Sequence, residues 1–362
     1  MAISPRPRGK RRKAVQQDLP LELPKAPASA PWIFSRLAPL KPSKVFDTYW
    51  RFAAARQEIF FRRYNGEPFP WTADAILRKF KFTNAYRASD RVSQYLINRV
   101  IYEGSQKPKE IFFRTILFKL FNRIETWELL RSSLGKLSVE GFEQRRYSKV
   151  LGAALGRGDK VYSAAYIMPP AMGFAGPRKH DTHLALLAKM LETDAFGRTF
   201  GAPSLKSAFV VLRSFAGIGD FLAYQFAIDL NYAACSSFDE YEFVVPGPGA
   251  RDGIRKCFID LGGLSEADVI RAVADRQEAE FARLGLVFRD LWGRRLHLID
   301  CQNLFCEVDK YARLAHPEIV GITGRTRIKQ QFRPTEQIPR YRFPTRWGLP
   351  AEVSAHVVAG NK

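Results

Sequence analysis

Residues 296–314, LHLIDCQNLFCEVDKYARL, hold the densest set of groups able to move a proton. At helical spacing Asp300, Asn303, Glu307 and Lys310 share one face, while Cys301, Leu304, Phe305 and Val308 turn inward. Glu307 or Asp309 could act as a general base with Lys310 as its charge partner. A plain Glu–Lys surface pair fits the same spacing. Residues 81–100, KFTNAYRASDRVSQYLINRV, carry a polar stripe of Arg87, Arg91, Gln94 and Asn98, flanked by Asn84 and Asp90. Solvated stripes are usually Lys and Glu, so this mixture suits a lined cleft that hydrogen-bonds a ligand. In 244–256, VVPGPGARDGIRK, a Gly/Pro turn leads into a helix start with Arg251, Arg255 and Lys256. N–H groups and cations there could cradle a phosphate or diphosphate, with a tight turn and solvated cations as the equal alternative.

The scaffold for these groups reads as helical. Apolar residues recur every third or fourth position in 44–64, 72–103, 109–134, 180–195, 204–230, 265–284 and 298–314. Alternating strand patterns are nearly absent, and Pro/Gly clusters at 168–177 and 245–253 mark loops. The expected fold class is mainly α. Residues 1–44 form a basic, Pro-rich, disordered arm and linker, with Arg6, Arg8, Lys10, Arg11, Arg12 and Lys13 and no acid among the first 13. The helical domain runs over 45–315. Residues 316–362 form a basic C-terminal extension in which Phe332, Tyr341, Phe343 and Trp347 are interleaved with arginines, suited to phosphates and base faces or to a wrap over the core.

Lys plus Arg outnumber Asp plus Glu by 57 to 36 in 362 residues, a formal +21, so the natural partner is an anionic polymer. No apolar run approaches the roughly 18 to 20 residues of a spanning helix, which argues against membrane insertion. Four cysteines and no leader point to a reduced, cytoplasmic setting. No G-x-x-x-x-G-K-S/T occurs, which removes a P-loop kinase or ATPase. His180 and His183 lack a third ligand, so no metal site is assigned and Asp181 is read as a helix cap. Cys301 and Cys306 are read as core residues.

In 212–230, LRSFAGIGDFLAYQFAIDL, Gly217-Ile218-Gly219 separates two short helices, the helix-hairpin-helix pattern of DNA-binding proteins. Glycines let the backbone approach a phosphate where the second helix presents free N–H groups and its positive dipole end, and Ile218 would plug the turn into the core. A purely structural helix corner is the other reading. In DNA glycosylases with lyase activity a lysine follows the second glycine by two residues; here that residue is Phe221, so an imine-forming nucleophile is missing. A catalytic aspartate is expected further on, where Asp239 stands in SSFDEYEF with Glu240 and Glu242, unless this is a solvated acidic turn.

In chain order, FPWTADAILRKFKFTNAYRASDRVSQYLI, the Gly-Ile-Gly hairpin, FVVPGPGARDGI and IDCQNLFCEVDKY resemble the alpha-glutamyl/putrescinyl thymine pyrophosphorylase family, also described as amino acid:DNA transferases. These phage-associated proteins are related to the helical domain attached to hydroxymethyluracil DNA kinases. The resemblance covers roughly 45–315 and implies a helix-hairpin-helix, DNA-glycosylase-like helical fold. It further implies a step of thymidine hypermodification that protects viral DNA from host restriction. In double-stranded DNA, a thymine analogue bearing a diphosphate on its 5-methylene group loses it to an amine of an amino acid such as glycine, or of a polyamine. The implied partners are that DNA, the free amine and, functionally, a hydroxymethyluracil DNA kinase, in the host cytoplasm. No cofactor is identified, and a divalent cation is compatible with the leaving diphosphate.

Residue chemistry, rather than the family, distributes the roles. Arg251, Arg255 and Lys256 would face the diphosphate, and Glu307 or Asp309 would take the amine proton. Asn84, Arg87, Asp90, Arg91 and Gln94 would line the pocket for an extruded base. Two alternatives stand beside this: a monofunctional glycosylase in which Asp239 activates water, and a non-catalytic DNA-binding module of the kinase pathway.

Overall fold

Ser43 starts the first long helix because its hydroxyl accepts the Val45 N–H at 3.1 Å, satisfying a donor that the helix itself cannot. The computed structural model describes residues 40–164, 168–174, 176–335 and 340–349; the arm expected over 1–44 falls almost wholly outside them. This helix, α1 (Lys44–Tyr64), buries Tyr49, Trp50, Phe52, Phe60 and Phe61 along one side. There follow α2 (Ala75–Lys79), a 3-10 turn (Arg87–Ser89) and α3 (Arg91–Tyr95), which continues as a π-helix through Leu96–Ile101. Then come α4 (Pro108–Phe121), α5 (Ile124–Leu134), α6 (Gln144–Gly156), α7 (Lys179–Glu192) and α8 (Ala195–Phe200). The chain goes on through α9 (Leu205–Arg213), α10 (Asp220–Leu230), α11 (Pro248–Cys257), α12 (Glu266–Asp275), α13 (Gln277–Arg283) and α14 (Leu298–Ala315). Among the described residues the sheet content is one antiparallel pair, β1 (Lys41–Pro42) with β2 (Phe258–Asp260). The fold is mainly helical, as expected.

Helices α4 and α10 are buried along almost their whole length and pack on each other, which explains why neither shows a polar face. The most extensive contact between helices is that of α11 with α14. A Cβ at Gly253 would fall inside the Phe305 carbonyl, and one at Gly249 would collide with the Cys306 sulfur. The glycines of VVPGPGARDGIRK therefore serve helix packing. Residues 248–253, expected to be loop, are helical, with Pro248 in the first turn where its missing N–H costs nothing.

The single helix expected over 72–103 is also corrected. Residues 80–86 leave the helix because their backbone is engaged elsewhere. Phe80 forms an antiparallel bridge with Gln331, and the Lys81 N–H donates to Gln330 O at 3.0 Å. The polar stripe thus breaks up, with Arg87 in the 3-10 turn and only Arg91, Gln94 and Asn98 on the helix. At the other end of the chain, Tyr341 and Phe343 are buried, so of the two readings of the C-terminal extension its described part is a wrap.

Candidate active site

Arg56 lies on the same side of α1 as Phe52 and Phe60, one turn from each, and is the cation on an otherwise aromatic stripe. Its guanidinium reaches the extended segment: Nε donates to Thr83 O and Nη2 to Asn84 Oδ1, both at 2.9 Å. From the opposite side, Glu307 on α14 accepts the Thr83 N–H at 3.0 Å and pairs with Lys310 at 2.7 Å. Asn303, one turn earlier, donates to the Thr83 hydroxyl at 2.9 Å. Asp90 closes the loop on itself by accepting the Asn84 N–H at 2.7 Å, while the Asn84 amide donates to Ser89 O at 2.8 Å. Helices α1 and α14 and the loop itself thereby bring two carboxyls, an arginine and a lysine around one short stretch of backbone.

Burial raises the Asp90 carboxyl to about 7; the Asn84 N–H pulls it down, Glu307 adds to the rise, and Arg56 and Arg87 oppose it. Burial likewise lowers Arg56 to about 10, against the pull of Asp90 and Glu307, and it stays protonated at neutral pH. A carboxyl poised near neutrality beside a fixed cation is the arrangement expected of a general acid or base.

Of the residues singled out in the sequence, Asn84, Asp90, Glu307 and Lys310 come together here. Arg87 does not line an open cleft. Its side chain is buried, with Nη1 on Asp229 at 2.7 Å and on the Tyr232 hydroxyl at 2.9 Å, and Nε on Gln225 at 3.2 Å. Lys119 meets the other Asp229 oxygen at 3.1 Å. Burial alone would raise Asp229, but the two cations hold it below the ordinary carboxylate value. Asp309 and Lys256 are corrected in the same way. They form a buried ion pair at 2.9 Å, and Arg313 also binds Asp309, because the α11–α14 crossing leaves them no path to solvent. Neither is placed to receive an amine proton or a diphosphate.

Gln94 is buried and binds the backbone of the C-terminal segment rather than a ligand. Arg91 is exposed, as are Arg251 and Arg255, the latter paired with Glu266 at 3.0 Å. Asp239 is exposed and accepts the Tyr241 N–H at 2.8 Å, the acidic-turn reading. Its neighbour Glu240 is the buried acid, bound to Arg294 at 2.7 Å and to Arg346. Asp300, at the start of α14, accepts the Arg87 N–H at 2.8 Å and the His297 N–H at 3.1 Å.

The hairpin between α9 and α10 turns at Gly217, whose φ of +83° suits glycine and whose Cβ would lie 2.7 Å from Ala171 Cα. Ile218 is buried, while a Cβ at Gly219 would meet nothing within 4 Å. Phe221 packs on Gly247. His183 is held in place by the fold, lying between the Tyr162 hydroxyl and Pro169 O, each at 2.8 Å. No group of three or more His, Cys, Asp or Glu able to hold a metal occurs among the described residues. None of their helices is long and apolar enough to cross a membrane.

Arg56 and Thr83 were missed in the sequence. Arg56 had a readable signal, a cation at helical spacing between Phe52 and Phe60. Thr83 binds Arg56 and Glu307 through its backbone, which has no signature in residue type.

A helical fold with an ionic site set between its first and last long helices defines the class. The chain belongs to the family described as the helical domain of 5-hmdU DNA kinase, which matches residues 43–321. Over 290 residues it is 28% identical to the 5-hmdU DNA kinase of Bacillus phage SP10. That alignment covers 74% of this chain and 45% of the relative, so the chain spans about half the length of the curated protein it matches. No solved structure matches it.

Proposed function

We propose that this chain is a DNA base-modifying transferase. It displaces diphosphate from 5-diphosphoryloxymethyl-deoxyuridine in DNA with the amine of an amino acid or polyamine. The observation that carries the reading is the Asp90 carboxyl, raised to about 7 beside Arg56. The amine attacks as the neutral free base, and the secondary ammonium it forms must lose one proton, which a base with a matched pKa takes at physiological pH. The nitrogen forms its bond to the 5-methylene carbon, the carbon–oxygen bond to the diphosphate breaks, and the leaving group departs with the bonding pair. The extra proton on the new secondary ammonium passes to Asp90. Lys310, tethered by Glu307, and Arg56 supply positive charge for the departing diphosphate. Glu307 is assigned the role of orienting Thr83 and Lys310. The base itself must leave the duplex to reach such a site. The open N-terminus of α10 at Gly219 and the exposed Arg251 and Arg255 offer sequence-independent phosphate contacts.

The test is incubation of the protein with DNA carrying the diphosphorylated base, together with glycine or putrescine. Release of pyrophosphate and a heavier nucleoside by mass spectrometry are expected, and Asp90→Asn should slow the transfer by about 100-fold or more. Abasic sites would point instead to the glycosylase, and binding without product to the delivery module.

A further inference from the structure

Residues 340–349 lie beyond the family match, which ends at 321, yet core side chains hold their backbone. Gln94, itself 1% exposed, donates to Arg342 O at 3.0 Å and accepts the Arg342 N–H at 2.8 Å. Asn98, one turn further along the helix, donates to Arg340 O at 2.9 Å. Two amide side chains thus grip both ends of one short peptide stretch. Tyr341, between them, is 4% exposed; it meets the Phe60 ring edge-on at 5.1 Å and stacks on Phe343 at 6.3 Å. Downstream, Arg346 binds Glu240 and donates to Asn231 O at 3.1 Å and Phe238 O at 2.9 Å. The Trp347 indole donates to Glu240 at 3.1 Å, with Arg294 lying 3.6 Å over its ring. Anchored on both sides, this segment is a strap.

Its position gives it a consequence. Tyr341 rests on Phe60, one turn from Arg56 on α1, and Gln94, which holds the strap, lies one turn beyond Asp90 and donates its N–H to Asp90 O at 2.7 Å. Resting on the reading of that site as the reaction centre, we infer that the strap is its outer wall. Tyr341 is then a positioning residue whose ring keeps water from the Asp90 carboxyl. The charged and titratable groups facing this region are Arg56, Arg63 and Tyr64 from α1, Arg87 from the 3-10 turn, Glu307 with Lys310 from α14, and Tyr341 from the strap. Arg56 and Arg87 favour the charged carboxylate and Glu307 opposes it, so exclusion of water is the largest influence keeping the proton on. Opening the wall should let the carboxyl relax towards its ordinary value.

The experiment uses the full chain without substrate: an NMR pH titration of carboxyl-labelled aspartates, with Asp90 assigned by its loss in Asp90→Asn. Tyr341→Ala is expected to lower the Asp90 midpoint by about one unit or more. Tyr341→Phe, which keeps the ring, should match the parent protein. Should Tyr341→Ala not fold, Gln94→Leu opens the clamp from the other side and should shift the midpoint the same way. An unchanged midpoint in a folded Tyr341→Ala or Gln94→Leu protein overturns the inference, as does a parent Asp90 already titrating near 4. Because no substrate is present, the outcome is independent of whether transfer is ever observed.

Discussion

Asp229 and Asp90 are both carboxyls drawn out of water beside an arginine, and they end in opposite states. Asp229 has Arg87 at 2.7 Å on one oxygen and Lys119 at 3.1 Å on the other. Two cations in contact outweigh the desolvation of one anion, and the carboxylate stays charged in a sealed cluster. Asp90 takes its hydrogen bond from a neutral donor, the Asn84 N–H, while its arginine spends its own bonds on Thr83 and Asn84. Burial then prevails and the proton is held to about pH 7. What separates a structural ion pair from a group able to exchange protons is therefore where the neighbouring cation spends its hydrogen bonds.

The largest effect should come from breaking the sealed cluster. Arg87→Met leaves Asp229 with one cation where it had two, at a cost of about 3 kcal/mol or more measured by urea unfolding. A loss below about 1 kcal/mol would mean that the cluster is not the anchor described. The open site sharpens the contrast through the sign of its pH dependence. Asp90 has a raised value in the folded state, so its contribution to stability is present below the ordinary carboxylate range and is lost as the pH rises through about 7. Asp229, lowered on folding, contributes above that range and loses its contribution as the pH falls. The stability of the parent protein minus that of Asp90→Asn should therefore decrease between about pH 4 and pH 7. A flat difference would return Asp90 to the class of ordinary surface carboxylates.

The two clusters also mark where sequence reasoning succeeds. Helical periodicity located α1, α9 and α14, because each buries a stripe that repeats along its own length. It placed Asn84, Asp90, Glu307 and Lys310 among the groups able to do chemistry. Their meeting was not legible, since the contact between Thr83 and Glu307 joins residues 224 positions apart. The same periodicity misplaced Arg87, because a helix was continued through a segment whose backbone is held by residues 330–332 and by Asp90. Asp309 and Lys256 failed for a related reason: with Gly249 and Gly253 removing side-chain bulk from α11, the two helices come close enough to seal a pair that looked solvated. Composition announced the glycines, while their role depended on which helix lay opposite.

The smallest expected effect tests the hairpin, where the comparison is between neighbouring glycines. Gly217 is fixed by its positive φ and by Ala171 against it, so any side chain there disturbs the fold. Gly219 has extended backbone angles, φ −80° and ψ 171°, and open space where a Cβ would stand. The fold does not require glycine at that position, so a valine should fit with only the small cost of a poorer helix start. The valine would, however, stand directly before the N–H groups of the first turn of α10. If those groups hold a DNA phosphate, Gly219→Val should weaken binding about tenfold at every sequence and reduce the salt slope by about one. Equal affinity and slope in the folded variant would take the hairpin out of the DNA interface and leave Gly219 as a residue chosen only for the turn.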